Sequence, residues 1–168
     1  MKAHLNNDKR KTSHEITTLS VREPRIAAQL YVLMQAAYTV EAQLLQDDDF
    51  PPLRRTLQKL RTAQSRFLGI GDKEQLHAAI ELVALRDEVY IDALVVAPAQ
   101  FRKGLGTALL EHVLNLYPGK TFIVQTGKAN TPAVKLYHKA GFTIESATTT
   151  PAGLELVCLV KQTGLERA

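Results

Sequence analysis

Between Arg66 and Val96 the chain carries three extended runs, Arg66–Ile70, Leu76–Val83 and Val89–Val96. Only short polar turns around Gly71-Asp72 and Arg86-Asp87 separate them. Apolar, β-branched runs bounded by such turns predict three consecutive strands joined as hairpins. Beyond Val96 the period changes. A helix over Gly104–Leu116, a strand over Thr121–Thr126 and a helix over Pro132–Ala140 are followed by strands over Phe142–Ser146 and Leu154–Lys161. A hairpin block that passes into strand–helix alternation implies a mixed sheet with helices on both faces. Upstream, Ile16–Val21 reads as a first strand, and Arg25–Met34 places Ile26, Leu30, Leu33 and Met34 at helical spacing. The run Asp47-Asp-Asp-Phe-Pro-Pro52 interrupts that pattern, and a second helix is expected from Leu53 to about Gln64, with Leu53, Leu57 and Leu60 on one side. The fold class is therefore α+β: a central mixed, largely antiparallel sheet of about seven strands, flanked by about four helices on both faces.

A chain of 168 residues, 45% hydrophobic and 23% charged, suits one globular domain. Residues 1–14 read as a polar leader and 15–168 as that domain. The single cysteine, Cys158, rules out an intramolecular disulfide. Its neighbours Leu156, Val157, Leu159 and Val160 predict a buried, inert thiol. No apolar run approaches the roughly 18 residues of a membrane span, and Met1–Arg10 lacks the apolar core of a secretory signal, so a cytoplasmic location is expected. The net charge of +4 is mild, and Lys9-Arg10-Lys11 is a short basic cluster in a polar tail, too little for a nucleic-acid surface. The five histidines have no metal-ligand spacing with one another or with Cys158, and no metal is expected. His77 is expected in a strand and His138 on an exposed helix surface. A homodimer is compatible with this sequence.

The chemistry gathers at two helix starts. In Ala99-Gln-Phe-Arg-Lys-Gly-Leu-Gly-Thr-Ala-Leu-Leu110, the residues Leu105, Ala108, Leu109, Val113 and Leu116 form a core-facing helical stripe. The first N–H groups of such a helix lack intrahelical partners, and the macrodipole adds about half a positive charge. Gly104 and Gly106 would let an anion approach those donors, with Arg102 and Lys103 alongside. This describes a pyrophosphate cradle. It is not a P-loop, since Gly119-Lys120 lacks a glycine at Leu114 and Gly127-Lys128 precedes Ala129. Nor is it the dinucleotide fingerprint, whose third glycine would fall at Leu109. At the second start, Thr131 is expected to cap a helix with Pro132 at its first position. Ala133, Leu136, Tyr137 and Ala140 form the apolar face, and Gly141 is expected as a left-handed C-cap. Tyr137 brings a hydroxyl that needs a partner if buried.

Together these segments resemble the GNAT superfamily of acetyl-CoA-dependent N-acetyltransferases. The first matches that family's Val-x-Pro followed by Arg/Gln-x-x-Gly-x-Gly, here Val96-Ala-Pro-Ala-Gln-Phe-Arg-Lys-Gly-Leu-Gly106. The second matches Asn-x-x-Ala-x-x-Leu-Tyr-x-x-x-Gly-Phe, here Asn130, Ala133, Leu136, Tyr137, Gly141 and Phe142. The resemblance implies that the backbone of Leu94, Val95 and Val96 pairs with the pantetheine arm of acetyl-CoA. It implies that Arg102, Lys103, Gly104, Leu105, Gly106 and Thr107 bind the pyrophosphate, and that Asn130 contacts the cofactor arm. Tyr137 would be the general acid for the departing thiolate. The implied activity is transfer of an acetyl group to a primary amine of a small molecule or peptide, by direct attack on the thioester. The alternative is a non-catalytic acyl-CoA sensor.

Two departures qualify the resemblance. Phe101 stands where an Arg or Gln is usual; it cannot donate to phosphate, and it is expected to pack under the turn. Gln125 stands where some members carry a glutamate base, and it cannot titrate. Glu81 and Asp92 are the alternative candidates for the base. Asp92 is expected to share the face of Leu94 and Val96 by strand parity. The resemblance implies an acceptor pocket between about Tyr38 and Arg55, with Tyr38, Glu41 and Phe50 as contacts; Asp47-Asp48-Asp49 is expected as a solvated loop.

Overall fold

A computed structural model describes residues 14–164. The 1–13 part of the expected leader, with its Lys9-Arg10-Lys11 cluster, lies outside them. Seven strands form one sheet in the order β1-β2-β3-β4-β5-β7-β6. They are β1 (Thr17–Leu19), β2 (Arg66–Gly71), β3 (Leu76–Ala84), β4 (Glu88–Val96), β5 (Thr121–Gly127), β6 (Thr143–Thr149) and β7 (Glu155–Gln162). Only β4 and β5 pair in parallel; every other neighbouring pair is antiparallel. Four helices accompany the sheet: α1 (Pro24–Leu45), α2 (Leu57–Arg61), α3 (Leu105–Leu116) and α4 (Thr131–Lys139). The mixed sheet flanked by helices is the architecture the hydrophobic patterning predicts.

Each face of the sheet has its own core. Leu30, Leu33 and Met34 of α1 and Leu60 of α2 pack on Phe67, Ala79, Ala93 and Val95. On the other face Leu105, Leu109, Leu110 and Val113 of α3 and Tyr137 of α4 pack on Leu68, Ile80, Leu82, Ile91, Phe122 and Leu159. Truncating one of these fully buried leucines to alanine costs about 2–5 kcal/mol in comparable cores. Leu116, the last residue of the expected α3 stripe, is instead exposed.

The expected helix from Leu53 to Gln64 is broken. Pro51–Arg54 forms a 3₁₀ turn and Arg55 is extended; Thr56 then caps α2, its Oγ1 accepting from the Lys59 N–H at 3.2 Å. Arg55 leaves the helix because its guanidinium forks onto the buried Glu81 carboxylate, Nη1 to Oε2 at 2.6 Å and Nη2 to Oε1 at 2.9 Å. A buried carboxylate needs such a partner, and that requirement outweighs the helical periodicity of the segment. Cys158 is half-buried rather than buried. Its side of the strand lies opposite the α3 core that takes Val157 and Leu159.

Candidate active site

β4 and β5 pair from Glu88↔Thr121 to Ile91↔Val124 and then part, although β4 runs on to Val96 and β5 to Gly127. The edge of β4 over Leu94, Val95 and Val96 thus turns its backbone groups into a gap rather than toward a neighbouring strand. A β-bulge lies at the same level. Glu81 opposes Ala93 and Leu82 opposes Ile91, leaving Asp92 without a partner in the register. Val89 and Ile91 consequently face the α3 core, whereas Ala93 and Val95 face the α1 core.

The bulge corrects the expected orientation of Asp92. Leu94 and Val96 pack toward α3. Asp92 instead feels the charges of Glu81 and Arg55, on the α1 side. Its side chain is exposed, yet partial loss of water and then the Glu81 charge raise its carboxyl above the ordinary value. Glu81 is buried and committed: besides Arg55, its Oε1 accepts a short hydrogen bond from the Ser65 hydroxyl.

Past Val96, a 3₁₀ turn at Pro98–Gln100 leads into residues 101–104 and then α3. Gly104 is the N-cap residue, with φ +79, so α3 begins at Leu105. The N–H groups of Leu105, Gly106 and Thr107 have no acceptor among the described residues; the first helical bond runs from Ala108 to Gly104 O at 3.0 Å. The two glycines serve different ends. Gly104 supplies a left-handed backbone, whereas a Cβ at the buried Gly106 would meet Leu136 and Val96 at 3.5 and 3.6 Å, ordinary contact. The packing of α3 on α4 and β4 therefore leaves room for a methyl at Gly106. Arg102 also has a left-handed backbone, with φ +64, which costs a non-glycine residue about 1–2 kcal/mol. Arg102 and Lys103 are exposed, and Lys103 Nζ donates to Gln100 Oε1 at 3.1 Å. Phe101 is exposed too, at 45%, and does not pack under the turn.

At the second helix start the cap is Asn130, one residue before the expected Thr131. Its Oδ1 accepts from the Ala133 N–H at 3.3 Å. The far end of α4 explains how Tyr137 is held. Gly141, with φ +90, donates its N–H to His138 O at 3.0 Å, and the Phe142 N–H reaches back to Tyr137 O at 3.0 Å. These two bonds are a Schellman motif. Its usual apolar contact is here the edge-on packing of Tyr137 and Phe142, ring centroids 5.3 Å apart. The Tyr137 ring is buried, and its hydroxyl has no hydrogen-bond partner among the described residues. Burial, then the Glu41 and Tyr38 charges, hold that hydroxyl above the ordinary phenol value, so it is protonated at neutral pH.

The C-terminal half of α1 closes the site. Gly127 admits it: a Cβ there would collide with the Leu45 side chain, so the bare backbone of β5 is the seat for the last turn of α1. One turn before Leu45 stands Glu41, and one turn earlier still stands Tyr38. Both are half-buried. Tyr38 packs edge-on against the buried Phe50, centroids 5.9 Å apart. Glu41 lies beside Asn130 and Tyr137; burial raises its carboxyl, and the Asn130 side chain draws it partly back. The fold thus brings Tyr38, Glu41, Asn130 and Tyr137 together from two helices. The acidic run 47–49 behaves as a solvated loop, with Asp49 paired to Arg54 and both exposed. His77 lies in β3, 3.4 Å from Asp72, and His138 is exposed on α4. Among the described residues, no helix is long and apolar enough to cross a membrane.

Residues 27–142 match the Acetyltransferase (GNAT) family. The UPF0157 protein YqkA of Bacillus subtilis (strain 168) is 34% identical over 128 residues, which cover 76% of this chain but 37% of YqkA. The chain thus spans little more than a third of that relative's length. Among solved structures, the ribosomal-protein-S18-alanine N-acetyltransferase of Escherichia coli superposes with a TM-score of 0.70 at 20% identity, covering 92% of this chain and 98% of its own. PaiA N-acetyltransferase of Thermoplasma acidophilum, in complex with coenzyme A, gives 0.71 at 18% identity, with 89% and 99% covered. YncA of Salmonella typhimurium, with acetyl-CoA, gives 0.66 at 19% identity, with 92% and 96% covered. The parted strands and the α3 cradle agree with the family match: the chain belongs to the GNAT family of acetyltransferases.

Proposed function

We propose that this protein transfers an acetyl group from acetyl-CoA to a primary amine of a small molecule or peptide. The observation that carries the reading is the parting of β4, the strand before the α3 cradle, from β5, the strand before Tyr137. These groups fit acetyl-CoA. Unpaired N–H donors at Leu105, Gly106 and Thr107 suit a pyrophosphate, with Arg102 and Lys103 as flanking charges. The free edge over Leu94, Val95 and Val96 suits the amide groups of a pantetheine arm, as a missing strand would. When bound, acetyl-CoA supplies an activated acyl group.

The chain's own residues do the rest. A backbone N–H on the β4 edge stabilises negative charge on the acyl oxygen, an effect of roughly 3–4 kcal/mol in well-studied sites. Tyr137 gives its proton to the departing sulfur. Thiols leave readily, with a reference pKa of about 8.5, so Tyr137 need add little. Tyr38, Glu41 and Phe50 form the acceptor side. In this reading Glu81 is structural, since a carboxylate held by Arg55 and Ser65 is a poor proton acceptor.

The test is to incubate the protein with acetyl-CoA and a panel of amino acids, polyamines, aminoglycosides and peptides, and to follow free thiol. Release with at least one amine is expected, together with a thermal shift on adding CoA. A shift without release across the panel points to a sensor, and no shift at all sinks the assignment.

A further inference from the structure

Resting on that reading, we propose that Glu41 on α1, rather than Asp92 or Glu81 on the sheet, receives the acceptor's ammonium group and takes its proton. Glu41 is half-buried and has no cationic partner among the described residues. Every other charge around it is accounted for. Arg55 is bound to Glu81, and Asp92 faces that pair rather than Tyr137. The groups that face Glu41 are Tyr38 on its own helix and Asn130 and Tyr137 at α4. None of them is a cation at any working pH. A carboxylate in that setting lacks a counter-charge, and an ammonium ion supplies one.

A cleft begins one turn beyond Glu41 on α1. It has a volume of about 240 Å³ and lies between the end of α1, the β5–α4 turn and the β6–β7 hairpin. Leu45, one turn from Glu41, and Ala129, next to Asn130, line it, as do Asp47 and Glu155. Lys128 Nζ lies 3.3 Å from Glu155 Oε2, so Asp47 is the lining acid without a cationic partner among the described residues.

The steps balance. Glu41 takes one proton from the ammonium and returns it to water. The freed nitrogen lone pair forms the C–N bond as the C–S bond breaks. Tyr137 protonates the sulfur and is itself reprotonated by the second proton leaving nitrogen. Burial narrows the gap between donor and acceptor, because it lowers the pKa of an amine and raises that of a carboxylate.

The deciding experiment measures kcat/KM against pH from 5 to 9, together with binding. Activity should rise with pH through a group titrating above the ordinary carboxylate range. Glu41→Gln should abolish that limb and lower kcat/KM by about 10²–10³-fold, while keeping the CoA thermal shift. Glu41→Asp should restore part of the loss, and Asp92→Asn should keep the limb. An intact limb in Glu41→Gln, or its loss only in Asp92→Asn, overturns the proposal. A second arm needs no turnover: with CoA bound, propylamine or spermidine at pH 7.5 should raise the Tm of the parent protein but not of Glu41→Gln. Equal shifts overturn the proposal. Failure of the acetyl-transfer reading would show separately, as a CoA shift without thiol release in the parent protein.

Discussion

The two halves of the candidate site are built differently. The cradle at 101–107 is one short stretch of chain whose proposed donors are backbone N–H groups. The acceptor side takes Tyr38 and Glu41 from α1, Asn130 and Tyr137 from α4, and the seat at Gly127 from β5. A backbone device survives side-chain change and shows itself in a local motif. A site assembled from side chains of distant elements depends on how those elements pack. Substitutions on the acceptor side should therefore act through packing and titration, and those on the cradle through backbone conformation.

The largest effect is expected where the acceptor side is anchored. Arg55→Ala leaves the Glu81 carboxylate buried with only Ser65 as partner, and should lower stability by about 3 kcal/mol in urea denaturation. At a temperature where the variant is folded, CoA should still shift its Tm. If CoA binding is lost as well, the two halves are less independent than the geometry says.

Next is Tyr137→Phe, which removes one hydroxyl from a ring held by the α4 terminus. Turnover in a chemistry-limited assay should fall about tenfold, equivalent to about 1.4 kcal/mol, with little change in CoA affinity. Unchanged turnover would remove its acid role.

The cradle is best probed with its two glycines. Gly104→Ala forces a Cβ onto a left-handed backbone, and should cost about 1 kcal/mol of stability and weaken CoA binding. Gly106→Ala adds a methyl at ordinary contact distance inside a helix and should be nearly neutral. Equal effects would mean that both positions serve close ligand approach, as the sequence alone suggests.

The smallest effect concerns Glu41. Its folded-state pKa is raised, so between the unfolded and folded values the native state binds more protons, and stability falls as pH rises through that window. Glu41→Gln should therefore raise Tm slightly at neutral pH, and the gain should vanish at a pH below both values. The function proposed for Glu41 carries a stability cost in the free protein, which an ammonium ligand would offset.

Much of this was legible beforehand because it is local. The turn of α4 at Gly141, the cradle before α3 and the hairpin block from Arg66 to Val96 each follow from a few neighbouring residues whose conformational preferences agree. The misreadings arise where a distant partner overrides local preference. Arg55 breaks a helical pattern to reach Glu81, 26 residues away in sequence. Asp92 occupies a bulge that pattern reading does not register, and this reverses the face expected for it. The α4 cap falls on Asn130 rather than Thr131, so that one residue both starts the helix and lies against Glu41.

By itself the sequence determined the order and type of the elements, the family motifs and the glycine turn before α3, because backbone preference and hydrophobic period act over a few residues. Only the tertiary structure decided where β4 and β5 part, which carboxylate is paired and which is left without a counter-charge. Those outcomes depend on burial and on partners far apart in the chain, and the free energy of a buried charge is set by what the fold places beside it.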